Sequence, residues 1–312
     1  MIIKPLCAIL SIGSVFALRA DLPPAAGITP VKVAETPGYC EGIVFDRAGS
    51  GYVSDTQHDT IYRVAPDGTV VKWANVKAPN GHRVLPDGTH LVAAAEAVIH
   101  LSADGTVLDR AATTSDGVPL VEPNDIALDP AGGFYFTDPH GSTAARPVGT
   151  VHYTDPRGTT HTIATGLAYS NGVVLRSDGR TLLVGESEHN RILSYEVVAP
   201  GRLGERRVFA TLPSKTGDQI ANAPDGMALD EDGNLFVAHY GMRTVQVLSA
   251  DGRLLRSYPA GNLTASNVAF GGAAMDQLYV TGALGDEQTS RGALWRLDLK
   301  GVRGQRLLPP MK

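Results

Sequence analysis

Six polar residues each lead a short apolar segment of the chain: Glu41, Asn80, Asn124, Asn171, Asp225 and Asn267. Two are carboxylates, four are amides, and none is apolar. Carboxylate and amide oxygens are hard donors, suited to Ca²⁺, Mg²⁺ or Mn²⁺. Two negative charges balance a divalent ion. No His or Cys holds any of these positions, which disfavours a zinc-type ligand set. A cation held this way can polarise a carbonyl, stabilise the oxyanion formed on attack, and acidify a bound water. The competing reading is structural: Asn and Asp side chains also bond the backbone amides at strand starts.

The segments themselves show what must position these residues. Glu41-Gly-Ile-Val-Phe-Asp, Asn80-Gly-His-Arg-Val-Leu, Asn124-Asp-Ile-Ala-Leu-Asp, Asn171-Gly-Val-Val-Leu-Arg and Asp225-Gly-Met-Ala-Leu-Asp share one layout. A glycine follows each leading residue eight positions later, at Gly49, Gly88, Gly132, Gly179 and Gly233. Asn267-Val-Ala-Phe reads as a sixth copy with a disturbed turn. Successive leaders are 39, 44, 47, 54 and 42 residues apart. Repeats of this length, rich in strands and Asp-Gly turns, indicate propeller blades. One unit reads as strands at Gly42–Phe45, Gly51–Ser54, Thr60–Val64 and Thr69–Trp73. The expected fold is an all-β, six-bladed β-propeller with four-stranded antiparallel blades filling residues 41–309. Val31–Ala34 is expected to add an outer strand to the last blade and close the ring. In such a ring the first strands line a central channel, and their leading residues converge on one mouth.

Composition agrees with this reading. Of 312 residues, 35 are glycine and 20 proline, which favours short strands and tight turns over long helices. A net charge of −5 excludes nucleic-acid binding through bulk charge. Two cysteines exclude a disulfide scaffold and a Cys-based metal cluster. Residues 1–20 read as a signal peptide: Lys4, a short apolar run from Pro5 to Leu18, then Ala20. That run is too short for a good membrane span. The expectation is a periplasmic or secreted protein with no stable span after processing, and one propeller domain over residues 21–312. Cys40 is then the remaining cysteine and is expected to be buried.

The chain resembles the SMP-30/gluconolactonase/LRE family of six-bladed propellers. The matching segments are Cys40-Glu41-Gly42, Glu122-Pro-Asn-Asp-Ile-Ala-Leu-Asp129 with Tyr135-Phe-Thr-Asp-Pro139, and Tyr169-Ser-Asn-Gly-Val173. Pro224-Asp-Gly-Met-Ala-Leu-Asp-Glu-Asp-Gly233 with Val237-Ala-His-Tyr-Gly241 completes the set. The resemblance implies a metal held by Glu41, Asn171 and Asp225, with Asn124 either a further ligand or a substrate contact. It implies Ca²⁺ first, with Mg²⁺, Mn²⁺ or Zn²⁺ as alternatives. Sugar-lactonase members have an Arg two residues before the Asn matching Asn124, where this chain has Glu122. A polyhydroxylated sugar lactone is therefore a less secure substrate, and a carboxylate there disfavours anionic ones.

The reaction this implies is hydrolysis of a small-molecule lactone or ester. Asp225 would act as general base on the attacking water, or attack directly. Asn124 and Asn80 would orient substrate oxygens, with Glu122 and His140 lining the approach. His140 and His82 are candidate proton shuttles. His239, and Asp55 and Asp138 at the same offset, read as residues that tie down the next turn. Phosphotriester hydrolysis at the same metal is one alternative. A non-catalytic propeller binding a ligand or protein is another. Asn262-Leu-Thr264 matches a glycosylation acceptor.

Overall fold

The computed structural model describes residues 21–287 and 289–306, so the expected signal peptide lies outside the described residues. A short 3-10 turn at Ala25–Gly27 precedes β1 (Val31–Thr36). The first blade is β2 (Cys40–Phe45), β3 (Gly51–Asp55), β4 (Thr60–Val64) and β5 (Val70–Asn75). The second is β6 (His82–Val84), β7 (His90–Ala94), β8 (Ala97–Leu101) and β9 (Val107–Ala111). The third is β10 (Ile126–Leu128), β11 (Phe134–Asp138), β12 (Gly149–Thr154) and β13 (Thr160–Leu167). The fourth is β14 (Ser170–Leu175), β15 (Thr181–Glu186), β16 (Arg191–Ala199) and β17 (Arg202–Thr211). The fifth is β18 (Ala223–Leu229), β19 (Leu235–Tyr240), β20 (Thr244–Leu248) and β21 (Leu254–Pro259). The sixth takes β22 (Thr264–Gly271), β23 (Gln277–Ala283) and β24 (Gly292–Asp298) from the end of the chain and β1 from its start. The molecule is thus a six-bladed β-propeller, and β1 pairs antiparallel with β24 from Val31↔Arg296 to Thr36↔Gly292. This outer strand shields the last blade's edge and ties the two ends of the ring together.

The repeated glycines have one physical job. Gly49, Gly88, Gly132, Gly179 and Gly233 all adopt φ between 67° and 97°, in the turn joining a blade's first two strands. A side chain there would be strained, so the turn selects glycine. In the sixth blade the turn is built differently, with positive φ at Gly272 and Met275.

The core is a ring of six apolar layers, one between each pair of neighbouring blades. Val44, Tyr52 and Ile61 of the first blade pack on Val84, Val92 and Leu101 of the second. Tyr135 and Tyr153 of the third pack on Val173 and Leu182 of the fourth. Phe236 and Val247 of the fifth pack on Val268 and Leu278 of the sixth. The last layer joins Leu294 to Ile43 and Val53, and includes the fully buried Cys40. Burying each such side chain contributes about 1.5–3 kcal/mol. Because every blade is held on both faces, the first strands are fixed rigidly around the axis.

Two readings need correcting. The first strand begins at Cys40 rather than Gly42, so Glu41 lies inside it. The fourth runs Val70–Asn75 rather than Thr69–Trp73.

Candidate active site

A backbone irregularity aims the leading residues at the axis. In the first blade Cys40 pairs with Asp55 and Ile43 with Val53, so Glu41 and Gly42 together face Ser54. Asn171-Gly172 face Gly185 in the same way, and Asp225-Gly226 face Ala238. Such a bulge re-aims a side chain that regular pleating would send into the sheet. The glycine of each pair has a separate cause. A Cβ on Gly42 would lie 2.2 Å from the Asn80 carbonyl oxygen, and one on Gly172 would lie 2.2 Å from that of Asp225. Neighbouring first strands approach too closely there for any side chain.

These contacts carry the leaders around the channel. Gly81 N–H donates to the Asn124 carbonyl at 2.7 Å, and Thr137 Oγ1 donates to the Asn171 carbonyl at 2.7 Å. Ser266 Oγ donates to the Cys40 carbonyl at 2.6 Å and joins the sixth blade to the first. Glu41, Asn124, Asn171 and Asp225 are all buried, and Asn80 is half-buried.

The sixth position differs from the reading by spacing. Ala265 pairs with Gly282 and Val268 with Val280, so Ser266 stands where Asp225 stands and Asn267 stands where Gly226 stands. Asn267 Oδ1 accepts from its own neighbour's Val268 N–H at 2.9 Å. In the third blade Asp125 takes the corresponding place, its Oδ1 accepting from Ile126 N–H at 2.8 Å. Asp125 Oδ2 also accepts from Val173 N–H at 3.1 Å, bridging to the fourth blade.

The electrostatics are unbalanced at the mouth. Burial away from water, the largest cause, pushes the Glu41 and Asp225 carboxyls above the ordinary carboxylate range. Glu41 raises Asp225 further, and Glu287 and Asp125 raise both. Glu41 Oε1 accepts from Tyr39 O–H at 3.1 Å, but Oε2 is buried with no hydrogen-bond partner. Asn171 Nδ2 donates to Ser187 Oγ at 3.1 Å, while its Oδ1 is likewise buried and unpartnered. Leaving a buried acceptor unpaired costs roughly 1–3 kcal/mol. Oxygen-only donors, two mutually repelling carboxylates and two orphaned oxygens together fit a hard divalent cation.

Further polar groups lie within the electrostatic reach of this cluster. Tyr39 is buried, and Tyr169 and Tyr240 are half-buried beside the carboxylates; the hydroxyls of all three are held protonated by burial and by the field of Glu41 and Asp225. Tyr240 O–H donates to the Glu287 carboxylate. Glu122 is pushed upward by burial; its Oε2 accepts from Gly141 N–H at 3.2 Å. His140 sits on that same loop in a left-handed conformation, φ 56°, with Nε2 3.4 Å from Asp138 and 3.2 Å from Thr150 Oγ1.

Spacing did not single out Asp125, Arg83, Ser187, Tyr240 or Glu287. For Asp125 a signal existed: it replaces the glycine that follows the leader in four of the other segments. Arg83 Nη2 lies 3.2 Å from Asp125 Oδ1, both side chains being buried. His82 does not reach the mouth. It is fully buried, with Nε2 2.8 Å from His90 Nδ1, among Trp73 and Tyr52. His239 is tied into the interior through Asn190 Oδ1 at 2.9 Å and Gln246 Nε2 at 3.1 Å. Asp138 accepts from Val121 and Glu122 N–H, and Asp55 from Gly38 N–H, as turn-tying residues do. Asn262 is buried, its amide donating to Ala293 and accepting from Trp295, so it is no glycan acceptor in the folded chain. A groove of about 370 Å³ lined by Asp46, Tyr52, Arg63 and His90 lies at the other end of the strands.

The chain is similar to several known proteins. A lactonase, drp35, from Staphylococcus epidermidis is 31% identical over 251 residues, which cover 75% of this chain and 71% of that protein. The diisopropyl-fluorophosphatase of Loligo vulgaris is 27% identical over 251 residues, 71% of this chain and 78% of its own. The structure of a gluconolactonase from Xanthomonas campestris superposes with a TM-score of 0.75 at 24% identity, covering 88% of this chain and 91% of that one, and so shares the fold. Residues 39–284 match the SMP-30/Gluconolactonase/LRE-like region, and the chain belongs to that family.

Proposed function

We propose that this protein is a lactonase that opens a lactone ring by hydrolysis at a divalent cation, Ca²⁺ first, held by Glu41, Asn171 and Asp225 with Asn124 beside them. The observation that carries the reading is the pair of orphaned, buried oxygens, Glu41 Oε2 and Asn171 Oδ1, with the Glu41 and Asp225 carboxylates repelling each other in the same cluster. The relative named a lactonase, and the pentonolactonase XacC of Haloferax volcanii, support the substrate class. When bound, the cation supplies Lewis-acid polarisation of the carbonyl.

The chain's own residues do the rest. Asp225 accepts the proton of the attacking water as general base. Asn124 and Asn80 orient the ring and carbonyl oxygens through their amides. Tyr39 and Ser187 fix Glu41 and Asn171 in place. Glu122 and Glu287 add negative charge at the approach, which favours neutral lactones and speeds departure of the carboxylate product.

A second reading is hydrolysis of a phosphotriester at the same cation, favoured by the relative named diisopropyl-fluorophosphatase. One assay separates the two: sugar lactones, aliphatic γ- and δ-lactones and a phosphotriester, each offered with Ca²⁺, Mg²⁺ or Mn²⁺. Turnover of lactones well above the phosphotriester supports the first reading. Turnover of the phosphotriester alone overturns it, as does inertness toward every lactone with every cation.

A further inference from the structure

We propose that Asp138, His140 and His152 form a second cation site, beside the channel mouth, for a borderline divalent ion of the Zn²⁺ class. One carboxylate oxygen and one ring nitrogen from each histidine lie within 4.8 Å of one another. Two imidazoles and a carboxylate differ from the oxygen-only channel set, and they suit a softer ion than Ca²⁺.

The third blade brings them together by register. Asp138 ends β11 and pairs with Thr150 on β12; Phe136 pairs with His152. Thr150 and His152 are two apart on one strand and so share a face. The left-handed turn at His140 folds its ring back over Asp138. As a result the Nε2 atoms of both histidines converge on one hydroxyl, Thr150 Oγ1, at 3.2 Å for His140 and 2.7 Å for His152.

The supporting contacts are those of a ligand set. His152 Nδ1 lies 3.2 Å from Thr162 Oγ1, so a proton held there leaves Nε2 as the lone-pair nitrogen. Its ring stacks on Phe136 at 4.9 Å. The Asp138 carboxylate is oriented by Val121 and Glu122 N–H, both at 2.9 Å, and keeps lone pairs for an ion. Zn–N bonds of about 2.0–2.1 Å need donors roughly 3.4 Å apart; His140 Nε2 and Asp138 Oδ2 already stand at 3.4 Å, and all three donors lie within 4.8 Å, so binding would draw them together by about an ångström. Thr150 or a water would complete the sphere.

Other blades show the same carboxylate–histidine pair without this convergence. His58 Nδ1 lies 3.1 Å from Asp55, and His189 Nδ1 3.1 Å from Glu186, where Arg191 also neutralises the charge. Neither pair belongs to a group of three such donors among the described residues. An ion in the third blade would also pin the loop whose Gly141 N–H holds Glu122.

The test is Co²⁺ binding to the full chain kept in saturating Ca²⁺, so that the channel oxygens are occupied. Equilibrium dialysis should find one Co²⁺ per chain, with a visible ligand-field band of low coordination number. His140→Asn keeps a residue that tolerates the left-handed turn, and His152→Gln keeps a buried polar group. Each should weaken Co²⁺ binding by more than roughly tenfold. Absence of Co²⁺ uptake by the wild-type chain overturns the proposal whether or not the variants fold. So does equal uptake by the wild type and folded His140→Asn.

Discussion

Arg83 and Asp125 form a buried ion pair at 3.2 Å that joins the second and third blades. Arg83 Nη1 also donates to the His82 carbonyl at 2.8 Å. Removing one partner leaves the other charge buried and alone. Arg83→Met should cost about 3–5 kcal/mol in urea unfolding, and Arg83→Met with Asp125→Asn should recover part of that loss. Additive losses in the double variant would contradict the pairing.

Asp225 has a stability cost that its proposed role explains. Its buried carboxylate is repelled by Glu41, Asp125 and Glu287. Asp225→Asn should stabilise the cation-free chain by about 1–3 kcal/mol, as the repulsion disappears. The same variant should lose lactone turnover by roughly 10²–10⁴. Added Ca²⁺ should raise the melting temperature of the wild type and leave that of the variant unmoved. Near-normal turnover in the variant would remove Asp225 from the mechanism.

Gly172 tests the close approach of neighbouring first strands. A methyl group there would meet the Asp225 carbonyl oxygen at 2.2 Å, although the backbone conformation itself is open to alanine. Gly172→Ala should destabilise by about 1–3 kcal/mol and weaken Ca²⁺ binding as well. Calorimetric titration showing unaltered Ca²⁺ affinity would contradict the coupling of strand spacing to the site.

Buried neutral imidazoles set an acid limit. Burial lowers His90 and His239 to about 4, and takes His82 well below its ordinary value. The unfolded chain therefore binds protons first as pH falls. Stability from these groups is complete above about pH 6.5 and drains away toward pH 4. His90 and His239 contribute on the order of 3 kcal/mol each at the neutral end. In NMR titration their ring signals should not move at pH 5.5; midpoints near 6.5 would contradict this.

In the proposed site Glu122 lies on the approach of an incoming ligand, held by Gly141 N–H. Glu122→Gln should raise kcat/KM for a carboxylate-bearing lactone relative to a neutral one of equal ring size. An unchanged ratio would place Glu122 outside the approach.

Most of the ring was legible in the chain because it repeats. A polar leader, a β-rich run and a left-handed glycine recur at blade length, and each has a local cause. What stayed hidden is not local. The bulges that turn Glu41, Asn171 and Asp225 inward depend on cross-strand register. In the sixth blade Asn267 fits by spacing, yet register puts Ser266 in the leader's place, because β22 pairs with β23 for one residue more before its turn than β18 does with β19. Arg83 finds Asp125 across a blade boundary, and Tyr240 finds Glu287 from the next blade. His82 was assigned by its proximity to Asn80, but the strand sends its ring into the layer between blades.

The most direct test of the central claim is lactone hydrolysis after exhaustive chelation and then after Ca²⁺ is restored. Turnover should fall to background without the cation and return in full with it, saturating at one Ca²⁺ per chain and failing to return in Asp225→Asn. Undiminished hydrolysis by the metal-free protein would contradict the account.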